Sequence, residues 1–76
     1  MTAEDLKERL RCYGIEPEST QITRSGAHDV LIVSVGGVMY GTQYAAGSPR
    51  EEEFFSFAVG ELAKAIQLDA QRRRGV

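Results

Sequence analysis

One histidine and one cysteine are the only side chains in this 76-residue chain that readily exchange protons or act as nucleophiles near neutral pH. His28 is followed by Asp29, but neighbours in an extended segment point to opposite sides, so the imidazole has no orienting carboxylate. Cys12 has no second cysteine to join in a disulfide or a zinc site, and a small buried thiol is the expectation for it. Glu51, Glu52 and Glu53 could gather a cation, yet three carboxylates at a helix start are first of all partners of the helix dipole. Arg72, Arg73 and Arg74 could meet phosphate; in a polar terminal stretch they read as solvated. No glycine-rich phosphate loop is present. The sequence therefore predicts no catalytic residue, no metal site, no cofactor and no enzyme. What chemistry it offers is that of surfaces.

Those surfaces must be carried by few elements. With 42% apolar and 26% charged residues, the chain has the composition of one globular domain with a small core. Its longest apolar run, Val30 to Val33, is far below the roughly 20 residues of a membrane-spanning helix, so no membrane contact is expected. The first eight residues are charged rather than basic and then apolar, which predicts no secretory signal and a cytoplasmic location. A net charge of −2 disfavours nucleic-acid binding by general attraction. Arginine outnumbers lysine and asparagine is missing, a composition that hints at a GC-rich bacterial or phage source.

Thr2 and Asp5 form a capping-box pattern ahead of a helix from about Ala3 to Tyr13, with Ala3, Leu6, Leu10 and Tyr13 along one stripe. Gly14 and Pro17 end it. Ser19 to Arg24 alternates like a short strand. Asp29 to Val35 and Val38 to Tyr44 form a hairpin about Gly36-Gly37, with Val35 opposite Val38 and Val33 opposite Tyr40. Ser48-Pro49 opens a second helix, whose stripe is Phe55, Val59, Leu62 and Ile66. Within it Gly60 either weakens the helix or admits a neighbour. The expected domain spans residues 1–70, followed by a flexible basic tail over 71–76. The predicted fold class is α+β in two layers: a three-stranded antiparallel sheet in the order α-β-β-β-α, with both helices on one face.

The hairpin is apolar on both faces, whereas a sheet covered on one side needs only one apolar face. Leu31, Val33, Val35, Val38 and Tyr40 suffice for the core. Val30, Ile32 and Met39 on the reverse then call for a partner. Phe54, Phe55 and Phe57 cannot all face one way on a helix, so Phe54 and Phe57, with Tyr44 on the outer strand, join the expected partner-binding set.

The order of elements resembles the double-stranded RNA-binding domain over roughly Leu6 to Ile66. Ser25-Gly26-Ala27-His28 looks like that family's loop between its first two strands, and Gly36-Gly37 like its hairpin turn. The resemblance implies RNA contacts by Glu8, His28 and Arg50. The family opens its second helix with phosphate-gripping lysines, where this chain has Pro49, Arg50 and three glutamates. The expectation is accordingly a small non-enzymatic binding protein acting through protein contacts. It would work as a homodimer or by occupying a larger complex, for instance as a phage-encoded inhibitor of the anti-CRISPR kind. A double-stranded RNA-binding module is the alternative.

Overall fold

Five elements follow one another in a computed structural model that describes residues 1–74: α1 (Ala3–Cys12), β1 (Ser19–Ser25), β2 (His28–Val35), β3 (Val38–Ala45) and α2 (Glu51–Arg74). The strands form one antiparallel sheet in the order β1-β2-β3. This is the α+β arrangement that the sequence predicts.

Local chemistry sets the boundaries. The Asp5 N–H donates to the Thr2 hydroxyl at 3.1 Å and the Thr2 N–H to the Asp5 carboxylate at 2.9 Å, closing the capping box of α1. At its other end Gly14 has φ of 78°. The Ile15 N–H reaches the Leu10 carbonyl at 3.1 Å and the Gly14 N–H reaches that of Arg11 at 2.9 Å, a Schellman closure that turns Ile15 back into the core. Gly36 and Gly37, with φ of 59° and 79°, make the two-residue turn, and Val35 pairs with Val38 and Val33 with Tyr40.

The core lies between the sheet and both helices. Leu6 and Leu10 from α1, Leu31 and Val33 from β2, and Phe55, Val59, Leu62 and Ile66 from α2 are all buried in one cluster. Arg9 ties the two helices together. Its guanidinium meets Glu52, donates to the Ser56 hydroxyl at 2.6 Å and lies 4.9 Å from the centre of the Phe55 ring.

Some expectations need correction. Cys12 is exposed, because it lies well round the helix from the Leu6–Leu10 stripe. Tyr13 caps the C-terminal end of α1 half-exposed, and its hydroxyl lies 3.4 Å from where a Cβ on Gly60 would sit, so that glycine admits the side chain of the capping residue. The second helix begins at Glu51 rather than Pro49, with the Ser48 hydroxyl accepting from the Arg50 N–H at 3.1 Å. It continues to Arg74, so Gln71 to Arg74, expected as the start of a flexible tail, are helical. Gln and Arg propagate a helix well, and arginines near its end complement the dipole. Residues 75 and 76 of the expected tail lie outside the described residues.

Candidate docking interface

The register assigns every strand residue to a face, because directly opposed residues share a side and successive residues alternate. Leu31 and Val33 are buried under the helices, and Ile22, Val35 and Tyr40 pack against the same core. The reverse face comprises Ser19, Gln21, Thr23 and Ser25 on β1, His28, Val30, Ile32 and Ser34 on β2, and Met39, Gly41, Gln43 and Ala45 on β3. None of these is Asp, Glu, Lys or Arg, in a chain with 26% such residues.

On this uncharged face Val30 and Ile32 form a central apolar row and are half-buried. Ile32 sits opposite Gly41, which has no side chain to cover it. Met39 stands 65% exposed opposite Ser34, offering an adaptable thioether arm beside that row. The border is of Gln, Ser and Thr side chains, able to donate and accept hydrogen bonds without the desolvation cost of a full charge.

The other expected contact residues are divided by the structure. Tyr44 belongs to the core: the same alternation that turns Met39 outward turns Tyr44 towards the helices, where it is 5% exposed. Its ring meets Phe55 edge to face at 5.6 Å, and its hydroxyl donates to Asp29 Oδ2 at 3.0 Å. Burial, with the Asp29 carboxylate beside it, raises the phenol pKa well above its ordinary value. Phe55 takes the core position on α2, Phe54 is half-buried beside it and Phe57 is 70% exposed. Phe54, Phe57, Ala58 and Glu61 face Thr42 to Ala45 across an open groove of about 260 Å³. Phe57 thus lies on the helix side, away from Val30, Ile32 and Met39.

The residues named for RNA contact are also distributed. His28 is exposed at one corner of the uncharged face, and Glu8 is exposed on α1 in the opposite layer. Arg50 is held by Glu53, donating twice to Oε2 at 3.1 and 2.9 Å, and lies 5.4 Å from the centre of the Phe54 ring.

One charged cluster escaped the sequence reading. Arg24 and Asp29 are directly opposed on β1 and β2, and the Arg24 Nε donates to Asp29 Oδ1 at 2.6 Å. That bond, with the one from Tyr44, holds the Asp29 carboxyl below the usual carboxylate range despite its burial. Both oxygens of Asp29 are occupied, so the group fastens the end of the sheet and is no free base or ligand. Among the described residues no group of three or more His, Cys, Asp or Glu side chains could hold a metal, and no helix is long and apolar enough to cross a membrane. No family model matches the chain, and no curated protein or solved structure matches it either.

Proposed function

We propose that this chain is a non-enzymatic binding protein that docks onto another protein through the open face of its sheet, acting by occupying that partner's surface. The observation that carries the reading is the lack of any formal charge across the whole open face, around Val30, Ile32 and the exposed Met39. Depletion of charge at the centre of a patch, with Met and aliphatic groups in its place, is the compositional mark of protein interfaces. Burial there is worth about 25 cal/mol per Å² of apolar surface before association costs are met. Duplex RNA is the weaker partner, because Glu51, Glu52 and Glu53 set carboxylates where phosphates would approach and Arg50 is already paired.

Affinity capture from the source cells tests this, comparing the wild-type chain with Ile32→Glu. Proteins retained by the wild type and lost from the variant, at unchanged melting temperature, support the sheet face. An identical capture profile from both chains removes it. A low-salt gel shift with duplex RNA that persists in Ile32→Glu would replace it with the nucleic-acid reading.

A further inference from the structure

The two outer strands of the sheet are finished differently. Strand β1 carries Arg24 and is fastened to α1, the Thr20 hydroxyl donating to the Ala3 carbonyl at 2.9 Å. Strand β3 has none of the devices that blunt an exposed edge. Its 8 residues include no charge and no proline, and its pairing with β2 runs from end to end without a bulge. The Ala46 N–H donates to the Ala27 carbonyl at 3.0 Å, continuing the alternation of bonded pairs through Tyr44, Thr42, Tyr40 and Val38. The backbone groups of Met39, Gly41, Gln43 and Ala45 therefore point away from the sheet, and among the described residues no backbone group answers them.

Beside that edge runs a trough. Three cavities of about 260, 230 and 480 Å³ follow one another along β3, the first two sharing Thr42 and Glu61, the last two Tyr40 and Ala65. Their far wall is a flank of α2 with Phe54, Phe57 and Ala58 at one end, Glu61 in the middle, and Ala65 and Leu68 at the other. Phe57 and Leu68 are 70% and 44% exposed there. Among the described residues Glu61 forms no salt bridge.

We propose that this trough is a peptide-binding groove. Its occupant is an extended segment of another protein, added to the sheet as a fourth strand beside β3, with the pattern apolar-x-Lys/Arg-x-apolar. A row of outward backbone groups on a straight edge is satisfied by another extended backbone, and the pockets beside it select alternate side chains. In a strand, side chains on one face recur about every 6.8 Å, and residues four apart on a helix about every 6 Å. Side chains i, i+2 and i+4 of the ligand thus arrive in turn at Phe57, Glu61 and Ala65. The outer two meet apolar walls, and the middle one meets a free carboxylate, which selects a cation. A second copy of β3 in the same place would bring no cation to Glu61. The pattern reads the same from either end, so it holds for both strand directions. Phe57 and Glu61 lie on the helix side of the edge, so the inference stands apart from the open-face reading and survives its failure.

Panning a random heptapeptide library displayed on phage against the immobilised full chain tests this. Peptides enriched over a bare surface should converge on the alternating pattern with Lys or Arg at its centre. Against Glu61→Lys the same library should converge on Asp or Glu at that position. For a consensus peptide followed by fluorescence anisotropy, Phe57→Ser should weaken binding by about tenfold or more while the circular dichroism spectrum is unchanged. Gln43→Pro, which removes an outward N–H and spares the ladder, should weaken it as much. N-methylation of the peptide at one of its two alternate sets of amides should abolish binding to the unaltered chain, a check on strand addition that needs no variant to fold. The inference is overturned if no peptide is enriched, or if the consensus lacks the alternation or the central cation. It is overturned equally if Glu61→Lys leaves that centre unchanged, or if neither methylated series binds more weakly than the parent peptide.

Discussion

The two faces of the same three strands obey different rules. On the helix side the central positions are answered from within the core: Leu31 and Val33 by the cluster they share with both helices, Tyr44 by Phe55, and the buried Asp29 carboxylate by Arg24 and the Tyr44 hydroxyl. On the open side the central residues are just as apolar, yet Ile32 faces a glycine and Met39 faces water. A small domain needs one apolar face to fold. The second exceeds what one covered side requires, and on the proposed reading that surplus serves association.

Substitutions on the two sides should therefore cost different things. Leu31→Ala, on the buried side, is expected to lose about 2–5 kcal/mol by urea unfolding, since the cavity cannot close between sheet and helices. A loss comparable to that of open-face variants would erase the distinction. Asp29→Asn should cost about 1–3 kcal/mol by weakening a buried hydrogen-bonded pair. Because the folded carboxyl titrates below its unfolded range, its contribution is present above that range and disappears as pH falls through the folded value. Melting temperature against pH should then show a shallower acid limb in the variant, though not a flat one. The Asp5 carboxyl is likewise lowered by Thr2 and that of Glu16 by Arg11. Met39→Ala, on the open side, should leave stability within about 0.5 kcal/mol while partner capture falls. The smallest change sharpens the comparison from α2: Gly60→Ala should raise stability by roughly 0.5–1 kcal/mol, with only the tip of the Tyr13 side chain in contact with the new methyl.

Much of this arrangement was legible in the residues, and each failure has its own cause. Both two-residue signals worked: Thr2 with Asp5 fixed the first helix, and Gly36-Gly37 fixed the register from which both faces follow. The open face with Val30, Ile32 and Met39 came directly from that register. Tyr44 was misplaced although the same alternation puts it with Tyr40, because its position at the end of an outer strand outweighed its parity. Cys12 was misplaced because free cysteine is usually buried, a tendency of composition that carries no information about the turn of a particular helix. The end of α2 was missed because the apolar stripe stops at Ile66, while beyond it the helix is tied down by polar contacts, Gln67 donating to the Tyr13 carbonyl and the Tyr40 hydroxyl to Asp69. Arg24 with Asp29 and Tyr44 could be found only by pairing strands residue by residue.

The layering of this molecule keeps two sets of residues out of each other's way. Helices fill one side of the sheet and leave the uncharged strands open on the other, so successive positions of one strand answer to different neighbours. Residues of the open side can change one at a time while the interior keeps its packing.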